Sequence, residues 1–283
     1  MSDFGTFSFG RMGGVASSAG SYDIVYSIAD AFDGGDNDIL GLRISDRYDN
    51  MVTYQSPKFS DVQATAQYSF KQDNKSETDT GAEGTSKVNG YASLALTGDF
   101  GPLQTVAAYE LSKYAKTELH DDTNAFYLGG NCDFRVLKLF ATARYTKAAK
   151  NFADFKAPAG IAEIPGGAKG IDSYGLQIGT IVPVAAGDPT VGAYYLDGDT
   201  DTLRYSAAIR DTEKLDFTYV GLSAHYVYPL CKRTSLYAGV SRKTEKRMTA
   251  TARYQGRETP RYSTETVKKR ADTFVPAPRR RRN

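Results

Sequence analysis

The chain has no tryptophan, only two cysteines and ten prolines in 283 residues. Nowhere do 18 apolar residues run together. No transmembrane helix is therefore expected. Cys132 and Cys231 do not read as a disulfide pair, and two cysteines make no disulfide framework. His120 and His225 stand alone and far apart, which reads as one loop and one lumen residue rather than a metal centre. No Ser/His/Asp order and no phosphate-binding loop is present, and Gly13-Gly14 is no phosphate cradle. Asp36-Asn37-Asp38 lacks the spacing and the terminal Glu of a calcium hand. No enzyme, metal or cofactor is expected. Met1 leads directly into Ser2-Asp3-Phe4-Gly5, without a basic or apolar leader, so no signal peptide is read at this start.

Helix-period segments are lacking too. In their place stand eleven short stretches of alternating polarity, about ten residues each. Residues 61–71 show the pattern best. Val62, Ala64, Ala66, Tyr68 and Phe70 share one face, and Gln63, Thr65, Gln67, Ser69 and Lys71 share the other. Side chains in a strand alternate with period two. One face is therefore apolar and the other fit for water. The strands are expected at 3–11, 47–56, 61–71, 88–98, 103–114, 123–134, 136–147, 172–183, 190–197, 215–229 and 235–242. In 47–56, Tyr48, Val52 and Tyr54 are expected on one face and Arg47, Asp49, Thr53 and Gln55 on the other.

The connections alternate in length. Long polar loops (12–46, 72–87, 115–122, 148–171, 198–214) take turns with short ones near 57, 100, 134, 186 and 231. Outer-membrane barrels sort their loops this way, long outside and short on the periplasmic side. A soluble sandwich has no reason to. Low mean hydropathy is no objection, because only alternate residues of a barrel strand meet lipid. Tyr48, Tyr54, Tyr68, Tyr145, Tyr226 and Tyr228 are candidates for interfacial girdles. The fold class expected is all-β, a transmembrane antiparallel barrel. A soluble all-β protein whose basic tail docks nucleic acid or a membrane surface is the alternative, and a surface barrel acting as an adhesin or phage receptor is a third reading.

Charge divides the chain. Residues 243–283 carry 13 basic and 4 acidic residues, a net of +9, which leaves 22 basic and 29 acidic residues, a net of −7, for 1–242. The tail ends in Arg279-Arg280-Arg281-Arg282-Asn283. Residues 1–242 are read as the β portion, and 243–283 as a basic segment that is disordered or frame-shifted. No nucleic acid partner is expected for it.

Three segments carry a family resemblance. Asp3-Phe4-Gly5-Thr6-Phe7-Ser8-Phe9-Gly10-Arg11 resembles a strand of the Gram-negative general porins. Arg47-Tyr48-Asp49-Asn50-Met51-Val52-Thr53-Tyr54-Gln55-Ser56-Pro57 is similar to the strand that follows their constriction loop. Tyr226 through Gly239 is similar to the turn near their carboxyl end. The matches fall in family order and cover about residues 3–242. The resemblance implies an outer-membrane location, a 16-stranded trimeric barrel and passive diffusion of ions and small hydrophilic solutes. This chain would supply about eleven strands, the fifth to the fifteenth, as an open sheet in which residues 12–46 take the place of the loop that folds into the lumen. Four amino-terminal strands and the usual carboxyl-terminal Phe are not matched.

The resemblance also implies where selectivity arises. Carboxylates on the inward loop would face guanidiniums on the wall. The acidic candidates are Asp23, Asp30, Asp33, Asp36 and Asp38, and the basic ones are Arg11, Arg43 and Arg47. Charges facing each other across a wet pore sit near the Debye length of about 8 Å, so the field biases ions modestly. Arg11 has a parity conflict, since it shares odd numbering with Phe7 and Phe9 and can face the lumen only past a bulge.

Overall fold

The computed structural model describes residues 4–18, 22–35, 37, 44–70, 89–114, 121–149, 170–185, 187–204, 212–231, 234–252, 261–268 and 273–274. The strands are β1 (Thr6–Gly13), β2 (Arg47–Gln55), β3 (Val62–Ser69), β4 (Gly90–Phe100), β5 (Leu103–Lys113), β6 (Thr123–Asp133), β7 (Lys138–Ala149), β8 (Ile171–Ile181), β9 (Asp188–Arg204), β10 (Thr212–Cys231), β11 (Thr234–Ala252), β12 (Arg261–Lys268) and β13 (Thr273–Phe274). One helix, α1 (Ile24–Ala29), sits between β1 and β2. The strands form one sheet in which β1 to β12 follow chain order, and β13 pairs with β11 off that path. Every pairing is antiparallel. Among the described residues β1 and β12 do not pair with each other, so the sheet is open.

The eleven expected strands correspond to β1–β11. The tight turn between β4 and β5 shows the local logic. Phe100 pairs with Leu103 across Gly101-Pro102. Gly101 has φ +67°, the positive φ that a two-residue hairpin needs at its first central position. In three places the strands run on. β9 reaches Arg204 and β10 starts at Thr212, within the stretch expected to be loop. β11 passes residue 242 and ends at Ala252, paired to β12. These extensions carry few large apolar residues, which hid them from a test based on alternation. The long loops 72–87 and 151–169, His120 and residues 275–283 lie outside the described residues.

The faces are inverted relative to a soluble domain. Phe9 is 74% exposed and Leu128 65%, whereas Thr65 is 2% and Gln67 4% exposed. Leu94, Leu96, Phe126, Leu176, Leu222 and Val240 join the exposed apolar side, and Ser93, Glu110, Thr142, Ser173 and Ser223 join the buried polar side. Direct register partners carry one outer row through Phe7, Tyr54, Ala66, Leu94, Tyr109, Phe126, Tyr145 and Tyr174 across eight strands. Within it Phe7 meets Tyr54 and Tyr109 meets Phe126 at 4.8 Å between ring centres. An apolar outside this large would be driven to bury itself in water. In lipid it is at rest.

The second strand differs from its expected pattern. The β1–β2 register slips between Gly10 and Met12, which face Met51 and Tyr48. The extra residue is on β2, where Asn50 takes φ +50°. A bulge of one residue flips the faces beyond it. Tyr48 is therefore inside, buried and stacked on Tyr91 at 4.0 Å, and not part of an outer girdle. Tyr54, Tyr68 and Tyr145 do lie on the outer face.

Candidate functional site

After β1 the described residues 14–18, 22–35, 37 and 44–46 lie on the inner, polar face of the sheet. Gly14 makes the entry. A Cβ there would lie 2.5 Å from the Tyr91 hydroxyl and 2.6 Å from Ser45 Oγ. The outgoing and returning limbs touch where the Gly14 amide donates to Asp46 O at 3.0 Å. The Gln67 side-chain amide on β3 donates to Gly13 O at 3.1 Å.

Glu110 of β5 ties both limbs to the wall. Its Oε1 accepts from the Ala16 amide (3.2 Å) on the outgoing limb and from Ser45 Oγ (3.0 Å) on the returning one. The same oxygen accepts from the Tyr91 hydroxyl at 2.6 Å, and Oε2 accepts from the Tyr127 hydroxyl at 3.1 Å. Tyr91 in turn accepts from the Val15 amide at 3.2 Å. A carboxylate that takes four donors is well satisfied although only 4% exposed.

Beyond this anchor the chain forms α1, which the sequence pattern had not shown. Six residues are too few for a helical period to stand out, and too few to be stable alone. Packing supplies the stability. Val25, Tyr26 and Ala29 are buried against Ala95, Val106, Ala108, Ala125 and Tyr127 of β4–β6. The wall also satisfies carbonyls at the helix end: Asn131 Nδ2 donates to Ile28 O and Thr142 Oγ1 to Ala29 O, both at 2.6 Å. Three inner-face glycines let the segment lie close. A Cβ at Gly129, Gly179 or Gly192 would fall 2.6, 2.8 and 2.8 Å from Ala29, Ala31 and Phe32. The Phe32 ring ends edge-on against His225 of β10, 4.8 Å between centres. One segment thus crosses the concave face from β3 to β10.

The predicted charges fare unequally. Asp30 is buried and used locally. Its carboxylate accepts from the Phe32 amide (3.0 Å), the Gly34 amide (2.8 Å) and Asn37 Nδ2 (3.1 Å), which folds the turn after α1. Asp33 sits in that turn with φ +56°, a conformation Asp tolerates. Asp23 is the residue before α1. Its Oδ1 is out of solvent with no hydrogen-bond partner. Burial, then repulsion from Asp33, pushes its carboxyl up to about 8, against the opposing pull of the Tyr26 and Ser18 amides. The structure brings Asp23, Asp30 and Asp33 into one cluster. Asp36, Asp38 and Arg43 lie outside the described residues.

Arg11 is not in the lumen. The bulge lies on β2, so Arg11 keeps the outer face of Phe7 and Phe9, where its Nε pairs with Asp49 at 3.2 Å, largely exposed. Arg47 is exposed at the start of β2, and its parity puts it across the sheet from Tyr48. The inner-face cation that does approach the loop is Arg144 of β7. With Tyr26, Asn37, Gln177 and Tyr194 it lines a crevice beside α1. Alternation puts Arg144 with Lys138 and Thr142 on the polar face of its strand, but nothing in the sequence says the loop comes to it. Among the described residues no group of three or more His, Cys, Asp or Glu side chains could hold a metal. Cys132 and Cys231 form no disulfide.

Comparison with known proteins gives consistent results. The sequence profile described as Gram-negative porin matches residues 1–247. An outer membrane porin protein of Bordetella pertussis is 27% identical over 210 residues, which is 68% of this chain and 51% of that protein. The chain thus spans about half the length of this curated relative. Among solved structures, the anion-selective porin from Comamonas acidovorans superposes with a TM-score of 0.51 at 21% identity, over 87% of this chain and 65% of that one. The outer-membrane expressed OmpT of Vibrio cholerae gives a TM-score of 0.51 at 15% identity, over 94% and 75%. At such identities the structural likeness speaks for the fold.

Proposed function

Because this chain belongs to the Gram-negative porin family, matched over residues 1–247, we propose that it walls a water-filled pore through which ions and small hydrophilic solutes diffuse passively. Its place is the cell outer membrane. The observation that carries the proposal is the inverted sheet with a segment laid across its polar face. Apolar rows meet lipid, hydrophilic rows meet water, and the segment around α1 narrows the space on the hydrophilic side. No chemical step is needed, and the protein works as a channel rather than an enzyme. The constriction in this reading is formed by Asp23 and Asp33, with Asp36, Asp38 and Arg43 near them in sequence, facing Arg144 on the wall.

Three further points belong to the same proposal. Residues 1–242 hold most of the barrel portion, and the basic segment 243–283 continues the same sheet through the end of β11 and β12. Strands pairing with β1 and β12 close the wall, since a bare edge is not tolerated in hydrocarbon. The working assembly is a homotrimer. Planar-bilayer recording of the detergent-purified protein tests the pore itself. Stepwise openings are expected. A protein that salt alone releases from membranes, or that leaves bilayers silent at every voltage, refutes it.

A further inference from the structure

We infer that solutes pass α1 on the face it turns away from β4–β6, and that Ser27, in the middle of that face, is a specificity-determining side chain of the passage. The inference rests on the pore reading and names the uncharged contact that lies in the chain between Asp23 and Asp33.

The six residues of α1 divide into two faces. Residues three and four apart on a helix lie side by side. Val25, Tyr26 and Ala29 make one face, and at 0%, 2% and 0% exposure none of them meets water. Ile24, Ser27 and Ile28 make the other. Ile24 and Ile28 are half-buried and pack against the rim of the same core. Ser27, between them, is exposed.

The side toward β4–β6 is closed to solutes. Beneath the helix Ala95, Val106 and Ala125 are each 1% exposed, so loop and sheet meet there in a dry apolar contact. The sheet lies behind the helix, and the exposed face of α1 therefore looks into the lumen. Ser27 Oγ donates to Ile24 O at 3.1 Å. The hydroxyl proton is spent on the helix, and the oxygen is left as an acceptor. A passing solute meets two branched aliphatic side chains and one neutral oxygen. Such a face limits size and leaves the choice of ion sign to charges elsewhere. A charge placed at Ser27 would act on ions within the Debye length of about 8 Å and impose a sign of its own.

The test starts from the full chain with Cys132→Ser and Cys231→Ser, which leaves no thiol. Ser27→Cys is added, with Ala125→Cys and Ala108→Cys beneath the helix as separate controls. Each protein, folded in detergent, is treated with the sulfonatoethyl or the trimethylammonioethyl methanethiosulfonate. Labelling is followed by mass and current in planar bilayers. Ser27→Cys should label with both reagents, and the two controls more than about tenfold more slowly, because a buried thiol reacts only through local opening. Each current step of labelled Ser27→Cys should shrink. Its reversal potential in a salt gradient should shift toward cation preference with the sulfonate and toward anion preference with the ammonium. Failure of Ser27→Cys to label, or labelling that leaves current and reversal potential unchanged, overturns the assignment. Controls that label as fast as Ser27→Cys put water behind the helix and overturn it as well. Ala108→Cys decides that point if Ala125→Cys does not fold. A thiol-free chain that never conducts sinks the pore, while the labelling rates still show which face of α1 meets water.

Discussion

Glu110→Ala should unseat the inward segment while the sheet stays folded. The substitution removes the acceptor of four donors: the Ala16 amide, Ser45 Oγ and the hydroxyls of Tyr91 and Tyr127. Each buried donor left without a partner costs about 1–3 kcal/mol. Water entering the space left by the side chain recovers part of that. A net loss of about 3–4 kcal/mol is expected for the seating of residues 14–30. At about 1.4 kcal/mol per factor of ten, this corresponds to a fall of roughly two to three decades in amide protection there. The ladders from β4 to β9 do not involve Glu110 side-chain bonds, so their protection should hold. Glu110→Gln keeps the shape and one good acceptor, and should cost about one decade. Hydrogen exchange read by mass spectrometry on peptides covering 10–30 and 138–149 separates the two regions. Equal protection of the 10–30 peptide in wild type and Glu110→Ala would refute the anchor. Equal loss in both peptides would show that Glu110 holds the sheet rather than the loop.

Other perturbations follow from the same geometry. Asp23 titrates high in the folded state and near 3.8 when unfolded, so the folded form keeps a proton that the unfolded form has lost. Seating is therefore favoured at low pH and weakens as pH rises from about 4 to about 8, by up to about 1.4 kcal/mol per unit. Melting curves between pH 5 and 8 should show the slope, and Asp23→Asn should flatten it. Gly129→Leu forces a side chain into Ala29, 2.6 Å from the new Cβ. A cost of about 1–3 kcal/mol is expected in thermal stability, with a change in single-channel conductance. Arg11→Gln breaks an exposed ion pair on the outer face. It should cost below about 1 kcal/mol and leave conductance unchanged. A large conductance change would put Arg11 back in the lumen.

The strand pattern was legible because a wall with lipid on one side and water on the other writes its period into every strand. Leu94 and Leu96, Ala107 and Tyr109, and Phe126 and Leu128 all fall on the face that alternation assigned. What was missed lies where that rule does not apply. A single bulge at Asn50 reversed Tyr48 and sent Arg47 and Asp49 to the other side. The ends of β9, β10 and β11 carry few large apolar residues and read as loop or, for β11, as basic tail. Alternation puts Glu110 and Arg144 on the polar face of their strands, but their roles depend on contacts with Ala16, Ser45 and Tyr26, far away in sequence. No local pattern encodes those. The loop acids looked alike as a set, and only the fold separates Asp30, spent on its own turn, from Asp23 and Asp33.

The segment that crosses from Gln67 to His225 also acts as a chord beneath an arch. It is pinned near one end by Glu110 and fastened along its length by Asn131 and Thr142. By touching both strands, this strap limits how far apart β3 and β10 can spread. Curvature here is thus partly a property of the contents of the vessel and not only of its rim.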